Sequence, residues 1–269
     1  MSSIIQTKAW PQRRGNTAVM RQSSTLAWRS LVSVRHNPTQ LLEYCMLPAM
    51  ILLSVTFFMG GQMMGTWQDF LQYGGPGIIV MGALFASLST AIGFYTDVES
   101  GIFDRFSAMP LSRVSLIAGR VVADMVKLVW AIFAVGALAF AIGYRAEAGL
   151  LGILGAYLVI LMFLFGCSWF MVFIGLVSRS EEQVQTYMIS VIMPVSFTST
   201  VYIEPHTLPS ALEWWASINP MSFAADTVRA LLDGTAVGNS FWGLLAWTAG
   251  LTLVFMTLAL RAYRRRLVT

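Results

Sequence analysis

Arg120, Asp124 and Lys127 are the ionisable residues that enter an apolar run together, at i, i+4 and i+7, so any helix there carries them on one face. Two chemistries fit that spacing. Opposite charges three and four residues apart can pair as a salt-bridge ladder at a membrane edge, or the same groups can relay protons. Their place near one end of the run favours the ladder. Glu43 and the pair Glu181 and Glu182 also lie near the ends of apolar runs. A proton- or sodium-coupled carrier needs ionisable groups at depth, so ion coupling is disfavoured. The two histidines, His36 and His206, are expected on opposite sides of a membrane, where they cannot share a metal or form a dyad. No G-x-S-x-G or H-E-x-x-H occurs, and Lys8 and Lys127 do not follow a glycine, which excludes the phosphate-binding G-x-x-x-x-G-K-[ST]. The chain cannot hydrolyse ATP by itself and is not expected to be an enzyme. Cys45 and Cys167 sit inside apolar runs as small buried residues, and the 16 methionines read as filler and lipid-facing residues more than as a metal path. No metal site and no cofactor of its own are expected.

A second polar stretch, residues 97–113 (DVESGIFDRFSAMPLSR), separates two long apolar runs. Acids at its start (Asp97, Glu99, Asp104), arginines towards its end (Arg105, Arg113) and apolar Ile102, Phe103, Phe106 and Met109 describe a short amphipathic helix stopped by Pro110. Held at the interface between two spans, it is a docking surface. The aromatics could equally rest in lipid.

These groups need elements to hold them, and composition says which. With 57% apolar and 11% charged residues, the chain is far from the roughly 25% charge of a soluble domain. It is an all-α polytopic membrane protein forming one transmembrane domain over 19–269, behind a flexible basic N-terminus at 1–18. Residues 19–36 read as an amphipathic interfacial helix, with Trp28 at headgroup depth. Six spans follow at about 41–60, 76–96, 114–143, 150–177, 184–203 and 240–262. Pro48 lies within the first, and Pro76 is expected at the start of the second, after a short polar loop (GQMMGTWQDFLQYGG). Gly152, Gly155, Gly166 and Gly175 should admit close helix contacts in the fourth. Pro194 lies within the fifth. Between 204 and 239 two short helices, too polar to cross, should dip into the outer surface before the last span, with Trp214 and Trp215 at the interface.

Charge fixes the orientation. Six cations before the first span, Arg105, Arg113, Arg120, Lys127, Arg179 and four at the C-terminus fall on one side, while Arg145 and Arg229 alone fall on the other. This positive-inside bias places both termini and residues 97–113 in the cytoplasm of a multi-pass bacterial plasma-membrane protein. It also accounts for the net charge of +4 without nucleic acid.

At this point the residues resemble a family. The turn from Glu99 through Gly101, followed by Arg105-Phe106-x-x-Met109-Pro110-x-x-Arg113, looks like the first cytoplasmic loop of type-2 ABC exporter permeases of the daunorubicin-resistance (DrrB-like) branch. Agreement continues in Arg35-x-Asn37-Pro38, Pro48, Pro76-Gly77-Ile78, Gly119-Arg120, Pro194 with Ser196-Phe197, Leu208-Pro209, Asn219-Pro220, Arg229-Ala230-Leu231-Leu232 and Gly234. Each is weak alone; their order and spacing over about 35–266 are specific.

The resemblance implies a transmembrane permease subunit that pairs with a second permease, identical or homologous, and with separate nucleotide-binding subunits that hold ATP and Mg. It implies that the coupling helix, through Glu99, Gly101, Phe103, Asp104, Arg105, Phe106, Met109 and Pro110, seats in a cleft of the ATPase. It also implies that the short helices close an outer gate, with Leu212, Trp215, Asn219, Pro220, Phe223 and Arg229. The weakly charged spans suit export of a hydrophobic or amphiphilic compound, a drug or lipid. Phe57, Phe58, Phe85, Phe94, Trp169, Phe170 and Phe173 could line its path or face lipid. The alternative is a non-transport scaffold or sensor subunit of an ATPase complex.

Overall fold

The computed structural model describes residues 39–101, 113–202 and 209–266. The expected basic N-terminus and the interfacial helix at 19–36 lie outside them. The described residues form helices joined by short turns, without a strand. Helix α1 (Thr39–Ser54) passes through one π-helical turn (Val55–Met59) into α2 (Gly60–Met64). Then follow α3 (Trp67–Ala86), α4 (Leu88–Glu99), α5 (Arg113–Ile142), α6 (Gly149–Val177), α7 (Glu181–Phe197), α8 (Ser210–Ile218), α9 (Pro220–Asp233) and α10 (Gly238–Arg266). Five helical stretches are long and apolar enough to cross a membrane: Tyr44–Met64, Trp67–Glu99, Ile117–Ile142, Gly149–Val177 and Gly238–Tyr263. The expected fifth span is α7, 17 residues long and more polar than these.

The second span departs from expectation. Its helix begins at Trp67, so the segment read as a polar loop is mostly helical, and Pro76 lies inside α3. The cause is an N-cap: Thr66 Oγ1 accepts from the Asp69 amide at 3.1 Å, which starts a helix nine residues before the proline. From Phe70 to Ala86 nearly every side chain is buried, because the other helices wrap this one. Ser87 interrupts it, its hydroxyl donating to the Leu84 carbonyl at 2.6 Å, before α4 continues.

α6 is the hub of the bundle; α10, α9, α4 and α5 all pack on it. Its glycines make that possible. A Cβ at Gly175 would stand 2.5 Å from the Ala91 carbonyl oxygen, and one at Gly166 would stand 3.1 Å from that of Thr248. Gly152 and Gly155 face Leu231 in the same way. Without side chains the backbones meet, and dispersion replaces the hydrophobic drive that hydrocarbon solvent cannot supply. Pro48 of α1 lies against Gly82 of α3, joining the first two spans. Outward, Trp130, Phe133, Leu151, Leu158, Trp242 and Leu253 are exposed. That surface is satisfied by lipid tails and not by water.

Candidate functional site

The two ends of the bundle carry different polar constructions. At the end where α4 stops and α5 starts, Asp97 in the last turn of α4 accepts from Arg120 Nη1 at 2.6 Å. Arg120 Nε donates to Asp124 Oδ2 at 3.2 Å, and Lys127 Nζ donates to Asp124 Oδ1 at 3.1 Å. Asp124 is fully buried and Lys127 nearly so. The pairing expected of Arg120, Asp124 and Lys127 is therefore a salt-bridge ladder. Its fourth member came from another helix. On α5 alone the ladder carries one excess positive charge, and that imbalance was the signal that a carboxylate must arrive from elsewhere. Two cations and two carboxylates close the account, which a buried site in low dielectric requires. Lys127 Nζ also lies 5.5 Å from the Tyr44 ring centroid, which brings α1 into the cluster, and the Arg120 guanidinium lies 6.0 Å from that of Phe94. Gly93 has no side chain because Arg120 Nη2 occupies the place its Cβ would take.

Asp97 and Glu99 thus finish the second span; they do not open a new helix. Ser100 and Gly101 close the turn, the Ser100 amide donating to Thr96 and the Gly101 amide to Val98. Gly101 has φ 66°, a left-handed conformation that glycine adopts without strain. Glu99 is exposed at this turn. Phe103, Asp104, Arg105, Phe106, Met109 and Pro110 lie outside the described residues. The clamp therefore ties the two helices that lead into and out of 102–112. At the same end Tyr95 donates its hydroxyl to the Arg179 carbonyl at 3.1 Å, anchoring the turn before α7.

The opposite end is built on Arg229 of α9. Nη1 donates to Asp226 Oδ1 at 2.7 Å, Nη2 to the Thr200 carbonyl at 3.2 Å and Nε to the Tyr73 carbonyl at 2.9 Å. The guanidinium stacks 4.1 Å from the Tyr73 ring centroid. Pro76 has no N–H to give the Gln72 carbonyl, and Arg229 donates to the carbonyl of the next residue, Tyr73. Thr200 donates its hydroxyl to Asp226 at 2.9 Å, binding the segment after α7 to α9. Of the other residues expected here, Trp215 donates Nε1–H to Thr198 Oγ1 at 2.8 Å. Asn219 caps α9 by accepting from the Met221 amide at 2.8 Å and donates to the Val195 carbonyl at 2.8 Å. Pro220 takes the first helical position, Phe223 presses on Gly243, and Leu212 is exposed. Trp215, Asn219 and Arg229 thus all hold the two short helices to the end of α7. Burial lifts the Asp233 carboxyl above the ordinary range, with Glu147 adding to the lift and Arg229 opposing it.

The aromatics divide. Phe94 and Trp169 are buried in a packed cluster of α4, α5, α6 and α10, with Phe173 against it. Phe57 and Phe58 are exposed on the π-helical turn, and Phe85 lines an apolar cleft of about 460 Å³ between α1, α3 and α7, with Met50, Val55, Met193 and Phe197. Phe170 stacks edge-on against Phe255. Among the described residues no three His, Cys, Asp or Glu side chains gather to hold a metal ion.

Apolar spans around a glycine-lined hub, with a buried charge clamp at one end and arginine-held short helices at the other, define a polytopic membrane protein of the transporter kind. The chain belongs to the ABC-2 type transporter family, whose model matches residues 21–232. It is 32% identical over 258 residues to the daunorubicin resistance ABC transporter permease protein DrrB1 of Streptomyces coeruleorubidus, covering 95% of this chain and 90% of that one. It is 24% identical over 202 residues to the probable doxorubicin resistance ABC transporter permease protein DrrC of Mycobacterium tuberculosis, covering 71% and 68% respectively.

Proposed function

We propose that this chain is the permease subunit of an ATP-driven exporter that moves a hydrophobic or amphiphilic compound, a drug or lipid, out of the cytoplasm or inner leaflet of a bacterial plasma membrane. ATP and Mg bind in separate nucleotide-binding subunits, and both termini are cytoplasmic. The observation that carries the reading is the clamp of Asp97, Arg120, Asp124 and Lys127, which braces both helices flanking 102–112. A segment whose two roots are locked together moves as one piece with its spans. The resemblance assigns that segment to the ATPase cleft, with Phe103, Phe106 and Met109 as apolar anchors and Asp104 and Arg105 fixing register.

In this reading α7 is the fifth of six crossings. It is tied at one end by Thr96 to Glu181 and continues at the other to Thr200, bound to Asp226. Only Val184, Met188, Ile192 and Ser196 of α7 are buried, a single stripe. Its remaining faces, which include Gln185, Thr186 and Ser190, support a second permease subunit opposite. The apolar cleft beside α7 receives cargo, and α8 and α9 form the outer gate.

The test uses proteoliposomes holding the permease with its ATPase subunit. Arg105→Glu with Phe106→Ala should leave insertion and ATP hydrolysis intact and abolish drug- or lipid-dependent transport. Full transport by the well-expressed double variant would overturn docking at this segment. Transport by the permease without any ATPase would overturn the exporter assignment itself.

A further inference from the structure

Away from the cleft beside α7, a second cavity of about 150 Å³ opens between α5, α6 and α9 at the outer end of the bundle. Gly136 and Phe140 of α5, Ile153 and Tyr157 of α6, and Val228 of α9 form its walls, and Phe133, more than half exposed, stands at the rim. At Gly136 the space beside the backbone is open. An apolar cavity of this size stays dry, and one that opens between membrane spans is in reach of hydrocarbon. Tyr144 forms part of the wall, and its buried hydroxyl has no hydrogen-bond partner among the described residues.

Arg145 stands at the mouth. Its Nη1 donates to the carbonyl of Phe140, in the last turn of α5, at 2.9 Å and to that of Tyr144, just past its end, at 2.8 Å, and both of those side chains line the cavity. The other guanidinium donors have no partner among the described residues, and the side chain is exposed. Arg145 and Arg229 are the two cations that charge asymmetry assigns to the outer side, and Arg229 is fully engaged. A guanidinium fixed at headgroup level above an apolar slot matches a phosphodiester above an acyl chain.

We infer that the groove between α5, α6 and α9 binds one phospholipid of the outer leaflet, its acyl chain along Gly136 and Ile153 and its phosphate on Arg145. The lipid ester carbonyl supplies the acceptor that Tyr144 lacks. The site shares no lining residue with the cleft beside α7, and the inference rests on the charge-based orientation but not on the exporter reading.

The full chain in nanodiscs of phosphatidylethanolamine and phosphatidylglycerol tests it with two photoreactive probes. One is a phosphatidylglycerol with a diazirine midway along one chain; the other is a diacylglycerol with the same chain. Phosphatidylglycerol should label peptides covering 132–140 and 153–160 above the level on the lipid-facing side of α10 around Leu253. Arg145→Gln should cut that labelling roughly tenfold, the worth of a charge-assisted hydrogen bond, without changing diacylglycerol labelling. Gly136→Phe should remove both signals; if that variant does not fold, Ala137→Phe, on the exposed wall of the same groove, serves instead. Labelling equal to that of α10, or phosphatidylglycerol labelling untouched by Arg145→Gln, would overturn the site. Displacement of the label by an apolar drug with no effect of Arg145→Gln would assign the groove to cargo and overturn it too.

Discussion

At the end of the bundle that the proposed orientation makes the inner one, Arg120 joins two spans through two carboxylates, and a lysine balances them; at the end it makes the outer one, Arg229 joins three segments through one carboxylate and two backbone carbonyls. The ligands differ in what happens when the contact breaks. Parting the inner pairs strands ionised groups in low dielectric, where each exposed charge costs several kcal/mol. Parting the outer contacts frees neutral carbonyls and a half-exposed Asp226 at the membrane surface, where water replaces the lost donors. One end is therefore costly to part and the other cheap. The exporter proposed above would use that division: a stiff lever near its motor, and short helices that release near the exit.

The largest effect should come from Asp124, the fully buried carboxylate shared by Arg120 and Lys127. Asp124→Ala leaves the buried Lys127 and the mostly buried Arg120 with one acid and should cost about 3–5 kcal/mol, read as thermal unfolding in detergent micelles. A loss below about 1 kcal/mol would erase the contrast between the ends. Arg229→Met should cost less, about 1–3 kcal/mol, and raise amide exchange across 220–233 while leaving 113–127 unchanged. Exchange rising equally in both regions would mean that the ends are not independent. The smallest change belongs to Asp233, whose folded carboxyl titrates above its unfolded value. A raised carboxylate pKa means that ionisation costs stability as pH rises through the window between the two values, so acidification restores it. Asp233→Asn should therefore melt slightly higher than the parent at neutral pH and at the same temperature once the parent is protonated. An unchanged difference across pH would remove Asp233 from the outer network's electrostatics.

The ladder on α5 was legible because helical spacing alone puts Arg120, Asp124 and Lys127 on one face. Asp97 was misplaced because local polarity grouped it with the segment that follows, while its partner lies 23 residues away. Gly93 went unread for the same reason: its need arises only from an arginine on another helix. The start of α3 was missed although Thr66-x-x-Asp69 carried the capping signal, because Gly74, Gly75 and Pro76 read more strongly as a break. Gly152, Gly155, Gly166 and Gly175 of α6 were legible as contacts, but not the partners they meet.

Apolar length, charge asymmetry and the order of short motifs by themselves determined that this chain is a helical membrane protein, and which family it resembles. Those properties are sums or spacings along the chain, so they survive without coordinates. Only the tertiary structure decided that Asp97 completes the inner clamp, that Arg229 holds the turn before Pro76, and that Arg145 overlooks an apolar groove. Each of those depends on where one helix sets its face against another, and packing geometry fixes that where sequence distance does not.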